Sequence, residues 1–245
     1  MAAKVNKRQA RRNRIEENKE LITSQLSGAS TVKRLNNLNW IRHELSWSEP
    51  RTLFQMPAKE QAANLDFNNM KNIGTAYDYI IDNADEPITV SGIYAIHSIL
   101  CDNTNIAGGM PRSTNKVLRF SDKADRFHAP DYREIPSTLN DIVYQLNDPS
   151  RDVLTRAFDA HYELIALQPF DDFNKRTARM IMNWVLLQGG YRPIIFNKKT
   201  DKQKYVDAIA AMTNGDRKKY MSYMNRTFEH SQNEIIKQLN KSNLK

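Results

Sequence analysis

Apolar residues recur at helical spacing along most of the chain. The first series covers about residues 15–27, where Ile15, Ile22 and Leu26 share one face and Gly28 follows as a stop. Thr89 is placed as an N-cap for a later helix. Further series predict helices over residues 35–45, 58–83, 137–146, 150–167, 176–188, 205–212 and 216–239. The pattern therefore predicts an all-α protein.

The helical pattern breaks between residues 107 and 136, where glycine and proline punctuate the chain. Val117–Phe120 is the best strand candidate, with a partner near Arg126–His128. A single hairpin adds little stability by itself, so we interpret it as a surface flap on a helical core.

Composition narrows the class of protein. A chain of 245 residues with 40% hydrophobic residues can form one large domain, or a core with an extension. The single cysteine, Cys101, excludes a disulfide framework and a cysteine metal cluster, and favours a reducing, cytoplasmic compartment. No apolar stretch suggests a membrane span or a secretory signal.

The chain is basic, with 36 Lys and Arg against 28 Asp and Glu and a net charge of +8. Much of the excess lies near the two termini. Such segments can attract nucleic-acid phosphates. Because no aromatic or zinc recognition module accompanies them, we favour solvated basic tails over a nucleic-acid partner.

The segment Gln168–Arg179, QPFDDFNKRTAR, contains the most chemistry. A helix that begins near Asn174 or Lys175 presents unpaired N–H groups and the positive end of its dipole. Both features suit a phosphate. The alternative is an ordinary charged helix start.

Three side chains of this segment also suit a phosphate or the metal ion bound to it. Arg176 and Arg179 are three residues apart, so they project from one helix face and can grip adjacent phosphates. Asp172 precedes the helix and suits Mg²⁺, which takes one or two carboxylates plus phosphate oxygens. The segment therefore predicts a site for a metal-bound polyphosphate.

The segment resembles the Fic family motif, His-x-Phe-x-(Asp/Glu)-Gly-Asn-Gly-Arg-x-x-Arg. The matching positions are Phe170, Asp172, Asn174, Arg176 and Arg179. The likeness spans roughly Phe67 to Ile195, with Asn72, His97 and His161 where many members carry these residues. It divides the chain into an N-terminal helical region (1–66), a Fic-like core (67–200) and C-terminal helices with a basic tail (201–245).

The resemblance implies a function and its partners. Fic proteins use ATP and Mg²⁺ to transfer AMP to a Ser, Thr or Tyr hydroxyl of a target protein. Their flap lays the target peptide beside the site as an added strand. On this chain Val117, Leu118 and Arg119 would dock the target. Tyr205 falls where the family often lines its adenine pocket, although a helix-packing tyrosine explains it equally well.

The largest departure from the family is Gln168, which stands where the catalytic histidine is expected, by natural or engineered substitution. That histidine accepts the proton of the target hydroxyl. A glutamine amide has no useful basicity near neutral pH, and general-base help contributes about 10²–10⁴-fold. His161 could replace the base, but we favour a hydrogen-bonded core residue.

The second departure is that Phe173 and Lys175 stand for the two motif glycines. Phenylalanine would crowd the phosphate cradle, whereas Lys175 could supply a point charge. The string from Asn174 to Thr177 also resembles the Doc toxins, which transfer a phosphoryl group.

The third departure concerns an inhibitory helix found in many Fic proteins, of pattern (Ser/Thr)-x-x-x-Glu-(Gly/Asn). Thr23 to Gly28 fits this pattern except that Ser27 replaces the glutamate. Serine cannot pair with the second motif arginine. The segment is either a relic of that helix or a helix end capped by glycine.

These features leave several functions open. The chain could be a Fic-type AMP-transferase with impaired or altered catalysis, or a non-catalytic scaffold or regulator that binds a nucleotide or a protein. Doc-like phosphoryl transfer and a nucleic-acid role of the basic termini stay open as well.

Overall fold

The computed structural model describes residues 2–48, 59–118, 127–196 and 202–241. Over these ranges the regular secondary structure is helical apart from one short hairpin, which confirms the predicted fold class. The helices are α1 (Ala2–Ser27), α2 (Thr31–Ser48), α3 (Lys59–Asp82), α4 (Val90–Leu100), α5 (Ile135–Asn147), α6 (Val153–Leu167), α7 (Asn174–Gln188), α8 (Lys202–Thr213) and α9 (Arg217–Lys241). A 3₁₀ turn over Tyr132–Glu134 precedes α5.

The helix starts follow local capping chemistry. The Thr89 hydroxyl accepts the Gly92 N–H at 3.0 Å, so the predicted cap of α4 is confirmed. The Asp152 carboxylate accepts the Thr155 N–H at 2.8 Å and begins α6. Periodicity located most helices to within a few residues.

The predicted hairpin is confirmed where the structure describes it. Strand β1 (Val117–Leu118) pairs antiparallel with β2 (Phe127–His128). Val117 faces His128 and Leu118 faces Phe127 in the register. Arg119 and the other predicted strand residues up to Arg126 lie outside the described residues.

Helix α7 lies at the centre of the core. Every residue from 177 to 186 is buried, whichever side of the helix it faces. A helix that is buried all round must be enclosed by its neighbours. Helices α3, α4 and α6 pack directly against it, and α6 makes the most extensive interface. The first turn of α7 therefore has a fixed position.

The N-terminal segment differs from the prediction. Helix α1 begins at Ala2 and packs against α9, where a solvated basic tail was expected before residue 15. Arg12 contacts Asp152 at 2.8 Å, and Arg14 contacts Glu229 at 2.5 Å. Hydrophobic periodicity did not predict the start of α1, because charged contacts and not an apolar stripe hold this part of the helix to the rest of the protein.

The length and apolar character of the helices show whether one of them could cross a membrane. Across the described ranges, none combines the length and the apolar character that a membrane crossing requires.

Candidate functional site

A six-residue loop, residues 168–173, joins α6 to α7. Gln168 ends α6 with φ 49° and ψ 59°, and Phe173 precedes α7 with φ 57° and ψ 9°. Both lie in the left-handed region, which costs a residue with a Cβ roughly 1–2 kcal/mol. Phe173 thus adopts a glycine-like conformation at a position where the Fic motif has glycine.

The side chain of Gln168 turns back onto its own helix. It is 5% exposed, and its Nε2 donates to the carbonyl of Ile165 at 2.8 Å. Its amide has no atom that could take a proton near neutral pH. In this position Gln168 caps the end of α6 and supplies no general base.

Asn174 closes the loop from the start of α7. Its Oδ1 accepts the Phe170 N–H at 2.9 Å, and its Nδ2 donates to the Phe170 carbonyl at 2.8 Å. The residue is 5% exposed. Asn174 is also predicted to contact the nucleotide, and in the structure both ends of its amide hold the loop.

Phe170 connects the loop to α4 through His97. The two rings stack with centroids 3.7 Å apart and planes within 2°. The His97 Nδ1 accepts the Gly109 N–H at 2.9 Å, and the Nε2 donates to the Asp172 carbonyl at 3.2 Å. Burial lowers the pKa of His97, which agrees with a neutral ring protonated at Nε2. His97 therefore fixes the backbone at Asp172.

Asp172 is the residue of the loop that the sequence predicts as a metal ligand. Its carboxylate is exposed, and its Oδ1 accepts the Phe173 N–H at 2.7 Å. No group of three or more His, Cys, Asp or Glu residues among those described could hold a metal ion alone. The arrangement fits Mg²⁺ held by one carboxylate together with phosphate oxygens.

The cations of α7 lie in different surroundings. Lys175 is exposed, and the Arg176 guanidinium lies 4.3 Å from the centroid of the Phe173 ring. Arg179 is 3% exposed and lies 4.5 Å from the Phe196 ring centroid. Lys175 and Arg176 therefore present charge at the surface, whereas Arg179 places its charge beneath the site.

Tyr205 lies in the core beside Arg179. It is 4% exposed, and the Arg179 guanidinium lies 4.8 Å from the centroid of its ring. Its hydroxyl contacts the His161 Nε2 at 3.0 Å, and the Tyr220 hydroxyl contacts the His161 Nδ1 at 2.9 Å. Burial lowers the pKa of His161 to about 3, with a smaller effect of Arg179. The interpretation of His161 as a hydrogen-bonded core residue is confirmed.

Arg112 is a site residue that the sequence pattern did not single out. It is 3% exposed, and its Nε donates to the Gln168 carbonyl at 2.7 Å. Its two terminal nitrogens donate to the carbonyls of Thr114 and Pro130, each at 2.6 Å. Arg112 therefore joins the base of the flap to the end of α6. Periodicity cannot detect such a residue, because it lies in a loop and its partners are backbone atoms.

The remaining predicted site residues lie on the surface. Val117 is 48% exposed on the flap, and Leu118 is half-buried. Thr23 and Ser27 are exposed at the end of α1, where the Ser27 hydroxyl donates to the Ser24 carbonyl at 2.9 Å. The helix ends at Ser27, and the Gly28 N–H bonds the same carbonyl at 3.2 Å.

The helical core and this loop–helix site define a Fic-type domain. The model of the Fic/DOC family matches residues 87–186, which include the loop and most of α7. The chain therefore carries a region similar to the Fic/DOC family over residues 87–186.

Individual relatives agree with this assignment. The chain is 29% identical over 157 residues to protein adenylyltransferase fic-1 of Caenorhabditis elegans, which covers 62% of this chain and 29% of the relative. The chain is also 23% identical to protein adenylyltransferase Fic of Aedes aegypti, over 88% of this chain and 46% of the relative. This chain thus spans less than half the length of these two relatives.

A solved structure supports the fold. A Fic domain containing signaling protein from Bacteroides thetaiotaomicron superimposes with a TM-score of 0.73 at 20% identity, covering 91% of this chain and 97% of the other.

Proposed function

We propose that this protein binds ATP with Mg²⁺ at the loop and first turn of α7, as a Fic-type AMP-transferase whose catalysis is impaired. The curated relatives named as protein adenylyltransferases support the reaction class. We propose impaired catalysis because of Gln168. It stands where the family motif has its base, and its amide caps α6.

The proposed binding site combines a metal ligand with several cations. Asp172 would hold Mg²⁺, which when bound shields the charge of the phosphates. Lys175, Arg176 and the N-terminus of α7 would bind the phosphates. Arg179 contributes charge from its buried position next to Tyr205. Asn174 acts by keeping the loop closed.

The proposed acceptor is a Ser, Thr or Tyr hydroxyl of a partner protein. Val117 and Leu118 support this role, because they lie on a short hairpin whose outer face is partly apolar and exposed. Without a base at position 168 the hydroxyl can be oriented, but its proton has no protein acceptor there. Transfer would therefore be slow.

The decisive experiment compares the chain with its Gln168→His variant, using ATP labelled at the α or the γ phosphate. We expect the variant to raise transfer of the α label by about 10²–10⁴-fold. Gln168→Asn serves as a control, since it changes the side chain without adding a base. Transfer of the γ label would instead establish Doc-like chemistry. Efficient transfer by the unaltered chain would contradict the proposed impairment.

A second candidate is a non-catalytic nucleotide-binding scaffold or regulator. The Gln168 cap favours it, because the site keeps its cations and its metal ligand without a base. Calorimetric titration with ATP and Mg²⁺ should show binding that Arg176→Ala weakens. If Gln168→His binds ATP but transfers no label, the scaffold becomes the better description. If ATP does not bind at all, both nucleotide functions are wrong.

A further inference from the structure

Lys116, at the base of the flap, reaches across to the site loop. Its Nζ donates to the Phe170 carbonyl at 3.2 Å and to the Asp171 carbonyl at 2.5 Å. Its own carbonyl accepts the Ala129 N–H at 3.0 Å, next to the hairpin. Lys116 is therefore fixed both to the flap and to the loop.

The ammonium lies in the field of the two loop carboxylates. Burial lowers the pKa of Lys116, whereas the carboxylates of Asp172 and Asp171 oppose that shift. The Nζ bonds to carbonyl oxygens beside these carboxylates, and carbonyl and carboxylate oxygens are also the ligands that Mg²⁺ prefers. A cation of the protein itself thus lies next to the proposed metal ligand.

We propose that Lys116 is the resident cation of this site, one that weakens divalent metal binding at Asp172 and supplies part of the charge that a polyphosphate requires. The inference rests on the proposed function and specifies its metal dependence. A unit positive charge near a bound divalent ion repels it, and the same charge attracts a phosphate. Nucleotide binding should therefore need less Mg²⁺ than a site without this lysine.

The metal half of the inference can be tested without nucleotide. Lys116→Gln keeps N–H donors for the two carbonyls but removes the charge, and Lys116→Arg keeps the charge. Titration with Mn²⁺, followed by electron paramagnetic resonance, should show about tenfold tighter binding for Lys116→Gln and no gain for Lys116→Arg. Adding Asp172→Asn should abolish the gain. Lys218→Gln, at an exposed lysine of α9, is the matched control.

The contribution of Lys116 to nucleotide binding can be measured by calorimetric titration with ATP. Lys116→Gln should bind ATP several-fold more weakly in EDTA, and excess Mg²⁺ should narrow the difference. If circular dichroism shows that Lys116→Gln reduces folding, acetyl-lysine at position 116 is the second variant, because it removes the charge and keeps the length of the side chain and one N–H donor.

Two results separate this inference from the proposed function. Equal Mn²⁺ binding by the unaltered chain and Lys116→Gln, including no binding by either, would overturn the role of Lys116. Failure of the unaltered chain to bind ATP in any condition would overturn the proposed function, while the Mn²⁺ titration still decides the effect of Lys116.

Discussion

At the scale of single residues, two residues of the site loop adopt a left-handed backbone conformation, which favours glycine. Gln168 and Phe173 both have positive φ, at 49° and 57°. Phe173 also places its ring against Arg176, so its conformation and its contact both act on the first turn of α7, where we propose phosphate binding. Backbone strain at a binding loop persists only where the surrounding contacts enforce it.

This strain predicts the effect of restoring the motif glycine. Phe173→Gly should tighten ATP binding, because it removes the ring from Arg176 and lets the backbone approach a phosphate. Calorimetry would measure the change. Phe173→Asn, which tolerates the same backbone but keeps a side chain, should show a smaller gain. Weaker binding by the glycine variant would mean that the ring assists the ligand.

His161 gives a prediction for pH. Its pKa is about 3 in the folded protein and about 6.5 in an unfolded chain. Below about pH 6.5 the unfolded chain binds a proton that the folded protein does not, so stability falls as the pH falls. The expected loss approaches about 1.4 kcal/mol per pH unit.

Urea unfolding between about pH 7 and pH 5 would measure this slope. His161→Gln should reduce it, because glutamine can bond the Tyr205 and Tyr220 hydroxyls without titrating. An equal slope in both proteins would rule out His161 as its source.

At the scale of elements, the flap and the site loop form one hydrogen-bonded unit. Arg112 and Lys116 join them through backbone carbonyls, and His97 adds a link from the turn at Gly109. Buried carbonyls that lose such partners are costly, because water cannot replace them. The flap is therefore a structural part of the site.

Arg112→Met should destabilise the protein by about 2 kcal/mol or more, because it leaves the carbonyls of Gln168, Thr114 and Pro130 without this donor. Urea unfolding would give the value. Arg133→Met, at an exposed arginine beside the flap, is the control and should change stability little. A loss for Arg112→Met as small as the control would contradict the structural role.

At the scale of the whole molecule, charge attaches α1 to the helical body. Arg11 and Arg14 both contact Glu229 of α9, and Arg12 contacts Asp152 at the start of α6. Three arginines that suggested a nucleic-acid arm are thus engaged within the protein. The basic excess of the sequence overstates the charge available to a partner.

Glu229→Gln should lower stability by less than about 1 kcal/mol, as expected for partly exposed ion pairs. The effect should shrink in about 1 M salt, which screens such charges. Thermal unfolding at low and high salt would test this. Glu234→Gln, which removes a pair with Lys237 within α9, should have a smaller effect.

The sequence by itself determined most helices, the hairpin and the residue types of the site loop. These features are local: helical periodicity, the Thr89 cap and the order of charged residues from Asp172 to Arg179 can all be read along the chain.

The tertiary structure decided where those side chains act. It directs the amide of Asn174 into the loop, buries Arg179 against Phe196, and brings Arg112 and Lys116 to the backbone of the site. These contacts join residues that are distant in the chain, and their partners are mostly carbonyl oxygens, which every residue carries. A sequence pattern cannot specify such partners, because only the packing of the helices sets which carbonyls face which side chains.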